Sequence, residues 1–297
     1  MIYYYKHRSI TDLSQTELDL LGYQGVYQYA YEHDISPTLL FNEIKKLEAD
    51  IQAMGNQPFD MSQGSNLQLM NNCVDQYIQF FNKYAKHNKQ AYIILGNIGS
   101  GKSTYAQEIE ESTGSIIIDP DFYKMGAHTD RGYFEGFTSL YKTPTDRERL
   151  QEPCGEACKR TLLNVADLGM NLILPKATTS YEKLQKQLQV LTDRNYDIHL
   201  ILFESPIKDC ANRSYYRYLI REYDKTAAPG TSHGRFVPVS VITNIGDGTF
   251  TTFAKAYKDG RYKSYKAFFN KGTVGLDTSK YVNEEIDINS MFLDFGQ

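Results

Sequence analysis

Residues 96–103 read Gly-Asn-Ile-Gly-Ser-Gly-Lys-Ser and fit the spacing G-x-x-x-x-G-K-[ST] at every position. That spacing requires a strand to deliver the chain and a helix to leave the loop. Both are present: residues 92–95 form an apolar run with strand character, and residues 102–111 have helix-like composition. Gly96, Gly99 and Gly101 carry no Cβ, so successive N–H groups from Gly96, Asn97, Ile98, Gly99, Ser100, Gly101, Lys102, Ser103 and Thr104 can converge on one anion. The helix beginning near Lys102 points its unpaired N–H groups and positive dipole end at the same spot, which favours a polyphosphate. Lys102 is the candidate to reach the β- and γ-phosphates, and the Ser103 hydroxyl is the candidate Mg²⁺ ligand. A glycine-rich turn containing Lys-Ser by chance is the bland alternative, and it needs five coincidences.

The remainder of the chain is read around this loop. Residues 1–88 predict a helical region, with apolar residues at three- and four-residue spacings over 16–31, 37–54 and 66–86 and a Gly/Pro/Ser/Gln-rich break at 56–65. From residue 89 the pattern alternates. Strands are predicted at 115–119, 170–174, 197–203 and 265–269, and helices at 152–167, 181–194 and 207–223, with a loop of about thirty residues after the second strand. The fold class is therefore α/β: a P-loop NTPase, with a parallel sheet flanked by helices, spanning 89–297 and preceded by the N-terminal helical segment. The helical segment is expected to pack on the nucleotide domain, since amphipathic faces usually bury against their own chain.

Charge and cysteine usage narrow the partners. A formal net charge of −4 opposes a general affinity for nucleic acid or anionic membrane. No apolar run approaches the ~20 residues that span a bilayer, and the first ten residues lack a signal-peptide apolar stretch, so a cytoplasmic protein is expected. Cys73, Cys154, Cys158 and Cys210 lack a second pair at zinc spacing and read as reduced thiols.

Ligands of such sheets sit beyond the carboxyl ends of the strands. Asp119 and Asp121 follow the second strand, where a carboxylate can accept a proton from a hydroxyl or hold Mg²⁺ through water; a turn capped by its own aspartates is the competing reading. Lys176, Thr178 and Thr179 follow the third strand. Lys176 is a candidate to face the phosphates, and one threonine is expected to cap the next helix. Arg213, Arg217 and Arg221 recur every four residues on one helix face, ahead of an Ala/Pro/Gly/Ser-rich stretch that Arg235 follows. Residues 225–238 are read as a lid, with Arg217 and Arg235 as the pair that neutralises a migrating phosphoryl group.

In this order the segments resemble the zeta-toxin family of P-loop kinases over roughly residues 89–275. The resemblance implies a kinase that uses ATP or GTP with Mg²⁺ to phosphorylate the 3′-hydroxyl of UDP-N-acetylglucosamine, and an antitoxin protein as partner. It places the general base at Asp121 within Ser-Ile-Ile-Ile-Asp-Pro-Asp-Phe-Tyr-Lys, the phosphate-clamping arginines at Arg217 and Arg235, and a residue near the nucleotide base at Asn270. The catalytic set is thus Lys102, Asp121, Arg217 and Arg235, with Ser103 and Asp119 on the metal. Where the family carries an acidic residue after the third strand, this chain has Pro175-Lys176-Ala177-Thr178. The family's substrate-contacting acidic residue aligns with Lys159, one turn from Glu156. The alternatives are a P-loop kinase acting on a nucleoside, a polynucleotide end or another metabolite, and an ATP-binding regulator without catalysis.

Overall fold

The computed structural model describes residues 20–54, 58–62, 64–129, 132–140, 147–223, 236–270 and 283–285. Among the described residues three helices come first: α1 (Tyr23–Glu32), α2 (Pro37–Met54) and α3 (Gly64–Asn82). Strand β1 (Gln90–Gly96) then leads into α4 (Lys102–Thr113), followed by β2 (Ile116–Ile117), α5 (Pro120–Met125) and the small hairpin β3 (Ala127–Thr129) and β4 (Gly132–Phe134). Helix α6 (Gln151–Asp167), β5 (Leu172–Lys176), α7 (Tyr181–Thr192), β6 (Asp197–Glu204) and α8 (Ile207–Tyr223) continue the alternation. The described chain closes with α9 (Val239–Ile245), α10 (Gly248–Asp259), β7 (Ser264–Asn270) and β8 (Asn283–Glu285).

Five strands run parallel in the order β2-β5-β1-β6-β7, and β8 adds to β7 antiparallel at one edge. Burial on both faces is what a central parallel strand requires, and Ile93, Ile94 and Leu95 of β1 are fully buried. Successive side chains alternate between two cores. Ile93 and Leu95 join α3, α6, α7 and α10 on one face, while Ile94 meets Ala106 and Ile109 of α4 on the other. Helix α3 belongs to the first of these cores through Met70, Cys73, Val74, Tyr77 and Phe81, whereas α1 and α2 pack on α8.

Several segments depart from the pattern read in the sequence. Residues 120–125 form a helix inside what reads as a loop. Asp119 is its N-cap, its carboxylate accepting from Asp121 N at 2.8 Å, and Pro120 occupies the first turn, where its missing N–H costs nothing. Helices α9 and α10 fill residues 239–259, for which the sequence suggested no element; Phe250, Phe253 and Ala256 turn one face of α10 into the sheet. The third strand extends through Pro175, which sits opposite Ile94. Ile118 N donates to Ile173 O, so odd-numbered residues of β5 face β2, and Pro175 directs its absent N–H to the side where β2 has already ended.

All four cysteines are buried free thiols. No helix among the described residues is long and apolar enough to cross a membrane.

Candidate active site

At the end of β1 the chain turns through a loop held on three sides. Asn97 closes it from within: its Oδ1 accepts from Ile98 N at 2.7 Å, and its Nδ2 donates to Ile242 O of α9 at 3.1 Å. Gly99 has φ +81°, and a Cβ there would stand 2.5 Å from the Cys210 carbonyl of α8; only glycine allows that approach. Gly101 has φ +103° and lies against Asn270, whose Nδ2 donates to Ser100 O at 2.9 Å. Asn270 is fully buried and its carbonyl accepts from Ser205 Oγ, so the structure places it beneath the loop as a support. The nine candidate loop residues therefore divide. Ile98, Gly99, Gly101, Lys102, Ser103 and Thr104 line a cavity of about 540 Å³, while Asn97 and Ser100 are buried and Gly96 packs on Phe203 O.

The same cavity collects side chains from five other segments. Asp119 and Asp121 reach it from the end of β2, Pro175, Lys176, Ala177 and Thr178 from β5 and the turn after it, and Arg213 and Arg217 from α8. Val237, Pro238, Val241 and Ile245 give it one apolar wall. Asp121, the candidate base, and Arg217, the candidate clamp, thus share one chamber with Lys102. Arg235, most of the segment read as a lid and residues 16–19 lie outside the described residues. Helix α7 is capped by Ser180, whose Oγ accepts from Lys183 N, and Thr178 accepts from Ser180 N instead of capping the helix itself. Lys159 and Glu156 do not line the cavity. They pair with each other at 3.2 Å on an exposed face of α6.

Two residues with no motif signal supply the far wall, and Lys124, the basic residue that ends the Asp-Pro-Asp-Phe-Tyr-Lys segment, holds them from behind. Glu148 and Gln151 line the cavity at the start of α6. Lys124, fully buried, donates to Gln151 Oε1 at 2.7 Å and pairs with Glu148 Oε2 at 3.4 Å. A buried ammonium is tolerated only when paired, and here the pairing fixes two polar groups that face the chamber. Arg213 is likewise held: its Nε donates to Asp209 O at 3.1 Å and its Nη2 to Ser205 Oγ. The i, i+4 spacing of Arg213 and Arg217 was the one sequence signal for its placement.

Lys102 is the electrostatic centre. Its Nζ donates to Asn97 O at 2.9 Å across the loop. Burial pushes its pKa down to about 8, with the Arg217 guanidinium acting in the same direction and Asp119 and Asp121 opposing it. A triphosphate arriving at the loop restores the charged form. Below pH 8 Lys102 already carries its proton, so binding needs none; above pH 8 binding draws one from solution. ATP titrations in buffers of different ionisation enthalpy should therefore show proton uptake that rises through pH 8–9 in the intact protein and is absent in Lys102→Met. Equal uptake in both proteins would remove Lys102 as its source.

Among the described residues no group of three or more His, Cys, Asp or Glu could hold a metal by itself. A hydroxyl at Ser103 and a carboxylate at Asp119, facing a phosphate-binding loop, do fit Mg²⁺, which commonly takes one or two protein oxygens and completes its shell with phosphate and water.

Comparison with known proteins adds two observations. The sequence profile of the family described as Zeta toxin matches residues 76–279. Among solved structures the chain resembles one from the PezAT chromosomal toxin–antitoxin system of Streptococcus pneumoniae, with 14% identity and a TM-score of 0.51 over 80% of this chain and 96% of that one. It also resembles the native AvrRxo1-ORF1:-ORF2 complex, with 12% identity and a TM-score of 0.53 over 78% of this chain and 72% of that one. At these identities the likeness is one of fold. No curated protein sequence matches the chain.

Proposed function

The chain belongs to the zeta toxin family, and from that premise we propose that it is a kinase transferring the γ-phosphoryl group of ATP or GTP to a hydroxyl of a small acceptor, UDP-N-acetylglucosamine first among them. The observation that carries this reading is the sharing of one cavity by Lys102, Asp121 and Arg217. A nucleotide-binding switch also uses a carboxylate and a guanidinium around its loop, so labelled acceptor, and not the cavity alone, separates it from a kinase.

In this mechanism the loop amides and Lys102 hold the donor's phosphates. The acceptor oxygen attacks the γ-phosphorus, its proton passes to Asp121, and the bond from the γ-phosphorus to the bridging oxygen breaks to release the nucleoside diphosphate. Ser103 and Asp119 would hold Mg²⁺, which when bound would supply charge neutralisation on the phosphate oxygens. Arg217 and Arg235 offset the charge spread over the equatorial oxygens, and Arg213, on the same wall, strengthens the positive field. Glu148 and Gln151, which line the same cavity, offer hydrogen-bonding groups to a hydroxyl-rich acceptor. An antitoxin partner is part of the proposal, by extension from the toxin–antitoxin system in which the pneumococcal structure occurs.

The test is product formation. Protein, γ-labelled ATP, Mg²⁺ and UDP-N-acetylglucosamine should yield the acceptor heavier by one phosphoryl group in mass spectrometry, and the same assay on a metabolite extract covers other acceptors. Label on a polynucleotide end would change the acceptor class. Slow release of inorganic phosphate, with no labelled acceptor in any mixture, would reduce the protein to a nucleotide-dependent regulator.

A further inference from the structure

Helices α1 and α2 lie outside the matched stretch 76–279, and their apolar faces are not buried on the sheet. Val26, Tyr29 and Ala30 of α1 and Leu40 and Ile44 of α2 form one core with Tyr215, Tyr216, Tyr218 and Leu219 of α8 and with Phe236. The approach is close. A Cβ on Gly25 would stand 2.2 Å from Asn212 O, and Gly25 N donates to Asn212 Oδ1 at 3.4 Å. Gly22, at φ +86°, lies against the Tyr215 ring, where a Cβ would fall 2.7 Å from the nearest ring atom.

Three phenols of α8 close this contact, each donating to a carboxylate of the N-terminal helices. Tyr215 pairs with Glu48, Tyr223 with Glu43, and Tyr216 Oη reaches Glu32 Oε2 at 2.5 Å. Tyr215 does more than the other two. Its Oη also accepts from Val239 N, at the start of α9, and its ring stacks on Phe236 with centroids 5.4 Å apart. Phe236 directly follows Arg235 in the chain. At 100° per residue, Tyr215 and Leu219 lie on the side of α8 away from Arg213 and Arg217, which line the cavity, and Tyr223 lies on the flank between.

From this arrangement we infer that residues 20–54 are a brace for the phosphoryl-transfer arginines, with Tyr215 as its positioning residue. Through Glu48, Val239 and Phe236 it fixes α8 and the return of the chain after Arg235 against one surface, and so sets where Arg217 stands over the loop. The inference rests on the kinase reading for its catalytic consequence, and on geometry alone for its mechanical one. Leu21 shares a small core with Ile98 of the loop, but the three phenol–carboxylate pairs involve none of the cavity-lining residues, so donor binding should depend on those pairs little.

The test uses the full chain. Tyr215→Phe keeps the ring and its packing and removes both hydrogen bonds. It should lower kcat about tenfold, as a misplaced clamp does, while directly measured ATP affinity stays within about twofold of the parent. Glu48→Ala should match it, and Glu48→Gln, which keeps an acceptor for the phenol, should restore most of the rate. Amide exchange in residues 213–219 should speed up in Tyr215→Phe with β1 and α4 unchanged. That readout needs no turnover, so it decides the brace even if no acceptor is phosphorylated. Unchanged exchange in α8 would overturn the brace, as would a rate within about twofold of the parent, or a loss of ATP affinity and of melting temperature equal to the loss of rate.

Discussion

Asp121→Asn is expected to lower the rate of phosphoryl transfer by about 10²–10⁴-fold, the range that a positioned general base supplies, and to leave ATP affinity nearly intact. The amide keeps the size and hydrogen-bonding outline of the carboxylate but cannot take the acceptor's proton. Helix α5 should survive the change, because its cap is Asp119. Single-turnover transfer from labelled ATP, beside direct binding of the nucleotide, separates the two effects. Turnover equal to that of the parent would take Asp121 out of the chemistry. A parallel collapse of ATP binding would make it a donor-site residue.

Arg217→Ala is expected to cost on the order of 10³-fold in kcat, as loss of a guanidinium over a transferring phosphoryl group does. Arg217→Lys should recover little of it, since an ammonium places a point charge where a planar fork is needed. The removal has a second signature. Arg217 is among the groups that hold the Lys102 pKa down, so the proton uptake that accompanies ATP binding should begin at higher pH in Arg217→Ala than in the parent. A variant with near-normal single-turnover rate and an unmoved uptake profile would show that this guanidinium faces neither the phosphates nor Lys102.

What is legible in the sequence is whatever the chain encodes locally. Glycine spacing, the Lys-Ser pair and the β-branched runs fix the loop, four of the parallel strands to within two residues, and the whole of α8, because each depends on neighbours in sequence. The second strand reads longer than it pairs: only Ile116 and Ile117 ladder, since β5 is the single partner at that edge. Helix α5 was hidden because an Asp-Pro-Asp sequence starts a helix and a turn with the same residues. The far wall was invisible for a different reason. Lys124, Glu148 and Gln151 are brought together by packing α5 against α6, and no spacing rule connects them. Asn270 and Asn97 show the converse limit: sequence makes Asn97 a loop residue and the resemblance puts Asn270 near the nucleotide base, but neither says that both face inward, supporting the backbone. Pro175 reads as the end of a strand, and only the register shows that the strand continues through it, on the side where no partner is left.

Helix α8 touches the phosphate loop near one end, where Cys210 O abuts Gly99, and the N-terminal helices along its length, from Asn212 beside Gly25 to Tyr223 beside Glu43 at the far end. With Arg217 about 10 Å along the axis from Cys210 and Tyr223 about 20 Å, it has the proportions of a lever pivoted at the loop. A sideways tug at the far end reaches the guanidinium at roughly half its size and scarcely moves the fulcrum. On the kinase reading, a binding protein that grips the outer helix at Glu43 would therefore reach Arg217 through the helix, without going near the nucleotide.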